Sequence, residues 1–394
     1  IVAGTNITLS EAAGVVTIDA AGGGGGSAGL VAGTQTDSMV SASTLTTTAA
    51  LSRGLADVVL GEGAATRVDA TFGANVVLGK LATQTGGERT VVIGNEATTS
   101  AGDSVAIGFQ ADAAGAGGIA IGVQAENNLG EGAAIGYQAL GNGNAGAIAL
   151  GRAATTGSLN TTAVGRSTQS LGAWGTALGY LSVQRSDQGI AIGYAAETNA
   201  STNAAIAMGD RAKCRKSQSI VIGAESELTA NGPNQTIIIG QGNSVDNPNQ
   251  RVVMVGNGNQ LDNSAGANDT VMIGSSLSQV AGNDISNSVQ IGLISNLGAS
   301  NTVAIGREAS ATSQGGCAVG RNSLASGDNS FAGTQSTAPE SLSAAFNGVT
   351  ATTATTTAVA NLEVIGAGNS IKLTSPNGTV FSVTVSDAGA LVVA

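Results

Sequence analysis

From Ser104 to Glu126 the chain reads SVAIGFQADAAGAGGIAIGVQAE, and one pattern is written in it twice. Val105-Ala106-Ile107-Gly108 returns fourteen residues later as Ile119-Ala120-Ile121-Gly122. Moving outward, the same apolar–x–apolar–Gly tetrad recurs as Ile148-Ala149-Leu150-Gly151, Ile190-Ala191-Ile192-Gly193, Ile220-Val221-Ile222-Gly223, Val271-Met272-Ile273-Gly274 and Val303-Ala304-Ile305-Gly306. Its glycines stand at 61, 79, 94, 108, 122, 136, 151, 165, 179, 193, 209, 223, 240, 256, 274, 292, 306 and 320. The step is 14 in most copies and 15 to 18 where a loop has grown. Many copies also place alanine three residues after the glycine, at Ala97, Ala111, Ala125, Ala139, Ala154, Ala196, Ala212 and Ala309. Recurrence at a fixed period is the signature of a repeat architecture.

Side chains of an extended segment alternate between two faces. The aliphatics three and one residues before each glycine (positions −3 and −1) therefore share a face, and we read that face as the buried one. Glycine then permits a positive φ, or a close backbone approach, where the chain turns. That role falls to Gly94, Gly108, Gly122, Gly136, Gly151, Gly165, Gly179, Gly193, Gly209 and Gly223. The small residue at +3 is read on the inside of the next short strand. Two short strands and two turns make one coil, so the expected fold is all-β: a parallel β-roll or β-solenoid of about 18 coils. A coiled coil shares the 14-residue period. It is excluded by glycine density, at about 1 kcal/mol per helical glycine, and by spacing drift that breaks heptad register. A roll this thin gains burial by packing against identical neighbours, usually as a closed symmetric oligomer.

Composition agrees. There are 60 glycines, 2% aromatics, 10% charged residues and a net charge of −11. Scattered Lys and Arg argue against nucleic acid as a partner. No histidine is present, which removes the commonest general base and metal ligand. Carboxylates are scattered, and no catalytic triad or P-loop pattern occurs. The chain is thus expected to be non-enzymatic and to use no cofactor and no metal. Turns at 141–144 and around Asp262 and Asp269 lack the regular Asp of calcium-binding repeats. No apolar run reaches the roughly 18 residues of a membrane-spanning helix, so no membrane insertion is expected.

Three regions follow: 1–57, a β-hairpin with Gly-rich and Thr-rich connectors; 58–333, the repeat domain; and 334–394, a connector with a β-rich cap. In the first, Ile7/Leu9 and Val16/Ile18 alternate about a turn over Ser10–Gly14. In the last, Ile371/Leu373, Phe381/Val383/Val385 and Leu391/Val393 alternate about turn residues, reading as a small β-meander.

The Ala-Ile-Gly core and the alanine at +3 resemble the head repeats of trimeric autotransporter adhesins, the YadA-like head. The resemblance covers about 58–333. It implies a homotrimer of left-handed rolls that engages host surfaces. Within these residues we read no coiled-coil stalk and no membrane-anchor strands of that family. GTNITLSEAAGVVTIDA at 4–20 and SIKLTSPNGTVFSVTVSDAGALVV at 370–393 instead resemble segments of tailed-phage virion proteins. The combined expectation is a trimeric virion fibre or tail appendage that contacts the host cell surface. Its partners would be itself, other virion proteins and a host cell-surface glycan. The alternatives are a capsid decoration or head fibre that binds no receptor, and an adhesin head on a bacterial cell surface.

Candidate contact residues fall in two groups. The position after each glycine forms a row with Phe109, Val123, Tyr137, Arg152, Arg166, Tyr180 and Tyr194, and later Arg307 and Arg321. Such a row can stack on sugars, or its members can stack on one another or across a trimer. Trp174, the single tryptophan, is either an anchor or packed in the core or an interface. The basic run Arg211-Ala212-Lys213-Cys214-Arg215-Lys216 either meets lipopolysaccharide or a carboxylate patch, or is a solvated turn. Cys214 is read in that turn, and Cys317, at a −3 position, as a buried small hydrophobe. The long repeats carry turns at Asn243–Asn249 and Asn257–Ala267, which are candidate recognition loops.

Overall fold

The computed structural model describes residues 57–66, 74–346 apart from 129, 143–145, 201, 230–233, 247–250, 262–268 and 280–282, and then 348 and 350–351. It also gives the backbone of strands Ile7–Ala12, Val15–Ala20, Leu30–Ala32, Met39–Ser41, Thr357–Ala358, Ile371–Thr374, Val380–Val385 and Leu391–Val393. Among these residues there are strands and turns and no helix. The chain forms two compact units, Ile1–Asn283 and Asp284–Ala394.

In the first unit every tetrad is a strand lying parallel and in register on its neighbours. Val105–Ile107 pairs with Val91–Ile93 on one side and Ile119–Ile121 on the other. Seven residues on, short strands such as Asp112–Ala113 stack into a second parallel sheet of thirteen, from Thr83–Gln84 to Gln260–Leu261. Backbone bonds tie coil to coil: Gly108 N–H donates to Ile93 O at 2.8 Å, and Asp112 N–H to Ala125 O at 2.9 Å. The fold is the parallel β-solenoid of about 18 coils that the repeat predicts.

In the tetrad strand inside and outside are the reverse of the sequence expectation, while the small residue at +3 lies inside as expected. Ala106 is fully buried, while Val105 and Ile107 on either side of it are only half-buried. The interior takes positions −4, −2, +3 and +5: Ser104, Ala106, Ala111 and Ala113 in this coil. The physical reason is thickness. Turns this short bring the two sheets close together, so mostly Ala, Ser and Thr fill these coils and the larger aliphatics point outward; Val59, Val77, Val92, Gln84 and Gln184 are among the bulkier residues taken in. The later coils differ: Val221, Leu228, Ile238, Val245, Met254, Leu261, Met272 and Leu277 fill the interior there. Strands lengthen in the same region, as in Val252–Asn257 and Thr270–Ser275.

Two backbone devices close each coil. Gly108 has φ +139°, and a Cβ on it would stand 2.2 Å from the carbonyl oxygen of Gly122 in the next coil. The tetrad glycine is thus required both by its φ and by contact with the adjoining coil. The 14-residue coils also hold two left-handed positions seven residues apart, such as Asp103 (φ 58°) and Gln110 (φ 54°), and the spacing widens where a turn has grown, as from Glu225 to Gln235. L-residues enter this region at a cost of about 1–2 kcal/mol. Stacking holds them there, because Asp103 N–H and Gln110 N–H each donate to the preceding coil, at 2.8 and 2.9 Å.

The second unit repeats the plan. Val303–Ile305 lies parallel between Val289–Leu293 and Cys317–Val319, and coils continue through Phe331–Ala332 and Ala344–Ala345, past the point where the tetrad fades. Phe331 and Phe346 stack there, with ring centroids 5.0 Å apart. The meander expected at the end is present as Ile371–Thr374, Val380–Val385 and Leu391–Val393, paired antiparallel. The N-terminal hairpin is present too, but Ser10, Glu11 and Ala12 belong to its first strand and not to the turn, since ladder pairing runs through Ala12 and resumes at Val15.

Candidate functional site

The faces and edges of the roll differ chemically, and each can be built from its repeat position. Outside the first sheet, positions −3 and −1 form a wall of aliphatics. Ile148 and Leu150 are 44% and 43% exposed, and Leu178, Ile222, Ile239 and Ile273 are exposed beside them in register. A buried Val, Leu or Ile side chain contributes roughly 1.5–3 kcal/mol, against about 0.8 for a methyl-sized group. In the Ala-cored coils more burial energy is therefore available on this wall than in the interior. Outside the second sheet, position +4 is mostly polar: Thr98, Asp112 and Glu126 stand in line, flanked by Glu96, Gln110 and Gln124 in a shallow open trough.

The edge after the tetrad glycine carries the aromatic and arginine row. Phe109, Tyr137, Arg152, Arg166, Tyr180 and Tyr194 are all exposed. They also touch one another. The Arg152 guanidinium lies 5.5 Å from the Tyr137 ring centroid and Arg166 lies 5.4 Å from that of Tyr180, while the Tyr180 and Tyr194 rings are 5.6 Å apart. Beside this row runs an amide ladder that the sequence reading missed. Gln138 Nε2 donates to Gln124 Oε1 and Gln124 Nε2 to Gln110 Oε1, both at 3.1 Å, and Gln110 Nε2 donates to Glu96 Oε2 at 2.8 Å. Its signal was glutamine at +2 in three successive coils.

Trp174 is not brought to that edge. It occupies a left-handed turn position (φ 52°) at the opposite edge and is 55% exposed, so the core reading of it fails. The basic run is not one patch either. Arg211 ion-pairs with Glu225 and Asp210, and Arg215 and Lys213 meet Glu227 at 3.2 and 3.9 Å. The hydrogen bond to Glu225, aided by Asp210, holds the Arg211 guanidinium above its ordinary value. Lys216 forms no ion pair among the described residues.

No family model matches the sequence, and no curated protein matches it. Among solved structures the chain is similar to the collagen-binding domain of the Yersinia adhesin YadA. The identity is 22%, over 46% of this chain and 72% of that one, with a TM-score of 0.20.

Other sequence candidates are corrected by where they lie. Cys214 sits not in a turn but in strand Lys213–Cys214, fully buried, where desolvation pushes its thiol up to about 11. Cys317 is half-buried rather than buried, with its thiol also raised by burial. Asn243 and Asn259 at +3 are interior residues, not loop tips. Asn243 Nδ2 donates to Gly256 O at 2.7 Å and Asn259 Nδ2 to Gly274 O at 2.9 Å, while Asn243 Oδ1 accepts from Asn259 N–H at 3.0 Å. The remaining long-turn residues at 247–249 and 262–267, Asp262 included, lie outside the described residues, as do 143 and 144. Asp269 pairs with Arg251. No group of three or more metal-ligating side chains occurs among the described residues, and no helix there is long and apolar enough to cross a membrane.

Proposed function

We propose that this chain is a non-enzymatic, self-associating fibre or adhesin-type module that works as a homotrimer on the outside of a virus particle or cell. The observation that carries the reading is the aliphatic wall outside the first sheet. Contiguous apolar patches of this extent on soluble proteins mark interaction sites. A repeat that places aliphatics at the outward positions of most coils, with Thr162 and Thr176 as interruptions, suits a second copy bearing the same wall at the same height. Three copies that turn these faces toward one another bury them all and leave the polar sheet facing water. The adhesin-like repeat favours attachment as the duty of the assembly. The end segments 4–20 and 370–393 favour a virion fibre contacting its host over a bacterial cell-surface head. Light scattering on the purified chain tests the assembly: the expected mass is three times 37.9 kDa. A well-folded single copy would overturn it.

A further inference from the structure

Eight of the twelve lysines and arginines on the described coils are neutralised by a carboxylate of the same or an adjacent coil, and Arg152, Arg166, Lys216 and Arg321 form no ion pair there. Arg89 forms a two-pronged bond to Asp103, at 2.6 and 2.7 Å, and Arg185 meets Glu197 at 2.7 Å. Arg152 and Arg166 break this rule. They occupy the same turn position in consecutive coils, since Leu150 and Val164 pair in register just before them. Coil spacing of about 4.8 Å stacks the two like charges. Neither forms an ion pair among the described residues; each lies over a tyrosine instead, Arg152 over Tyr137 and Arg166 over Tyr180. A chain of net charge −11 thus leaves two adjacent guanidinium groups without an anion, held between exposed rings.

We propose that this edge, from Tyr137 to Tyr194, is a binding site for a linear acidic polysaccharide. The ligand chemistry follows from the parts. Guanidinium groups bind carboxylates through paired hydrogen bonds. Tyr137 and Tyr180, each with an arginine over one ring face, offer their remaining exposed surface and their hydroxyl groups to the sugars. A pyranose chain laid along the stack advances per sugar by a distance comparable to the coil spacing, so successive sugars meet successive coils. The assignment rests on the reading of the chain as an attachment module, and it gives that module a ligand class.

Affinity electrophoresis of the full chain through gels containing alginate or neutral dextran tests it, with the mass of every variant measured alongside. Wild type is expected to be retarded by alginate and not by dextran, despite its negative charge. Arg152→Ala/Arg166→Ala should weaken retardation at least tenfold at unchanged mass, and Tyr137→Ala/Tyr180→Ala should do so less steeply. Arg211→Ala, already paired with Glu225, should stay within twofold of wild type. An assembled wild type that ignores alginate, or a double-arginine variant that binds as well, would overturn the assignment. So would a double-arginine variant that falls apart into single copies, because the row would then be a joint between subunits. A wild type that is monomeric sinks the assembly reading whatever alginate does, so the two failures are told apart.

Discussion

Glycine does two separable jobs in this chain, and substitution distinguishes them. At Gly108 an added Cβ meets the Gly122 carbonyl oxygen at 2.2 Å, whereas at Gly242 (φ +62°) it meets nothing within 4 Å. Gly242→Ala should therefore cost only the left-handed penalty, about 1–2 kcal/mol. Gly108→Ala adds a backbone collision to its strain of roughly 1–3 kcal/mol, so its urea midpoint should fall clearly further. The cysteines make a second pair. With its thiol raised to about 11, Cys214 should resist a thiol reagent at pH 8 in the folded chain, while half-buried Cys317 reacts first. Equal labelling rates would contradict that burial order. The tetrad glycines were legible in the sequence because their period was. The placement of Cys214 was not, since a basic run reads as a solvated turn until the stacking of Lys213–Cys214 on Glu227–Leu228 is seen.

At the level of the strand, alternation tells which side chains share a face and says nothing of which face turns inward. Val105 and Ile107 looked like core because they are the larger pair; Ala106 is core because the sheets are close. That inversion is why the strands, their period and the all-β class were readable while the interaction wall was not. The interior asparagines make the same point, as polar residues in a Gly/Asn-rich stretch resemble a loop. Asn259 Oδ1 accepts from Leu277 N–H at 3.0 Å while its Nδ2 donates to Gly274 O. Asn259→Ala strands both backbone groups, and a loss of about 1–3 kcal/mol in urea unfolding is expected. Asn259→Asp keeps the acceptor and loses the donor, so it too should be less stable than wild type.

For the molecule as a whole, the wall and the charge ladders make opposite demands on solution conditions. Leu150→Lys with Ile222→Lys puts charge on the wall but leaves each coil's interior untouched. The expected outcome is a chain of single-copy mass that keeps its β-sheet circular dichroism; an unaltered trimer would remove the wall from the interface. The ladders respond to acid instead. Asp103 is held below its ordinary value of 3.8 by the hydrogen bond from Arg89. A depressed carboxylate stabilises above its unfolded value and loses that contribution as pH falls through the folded one. Arg89→Ala should thus differ from wild type at neutral pH and converge with it below 3.8. The difference will be small because both groups are exposed to solvent.

Coil-to-coil bonds such as Gly108 to Ile93 all run along the stack, and each coil holds mainly its immediate neighbours. That has a mechanical consequence. Layers in series each carry the full tension, so the weakest coil interface opens first, and coils should come away in sequence without the whole unit giving way at once. Each release frees about 14 residues and lengthens the chain by roughly 45 Å. Held between two surfaces, such a module would yield in small, repeatable extensions and remain attached while it did so.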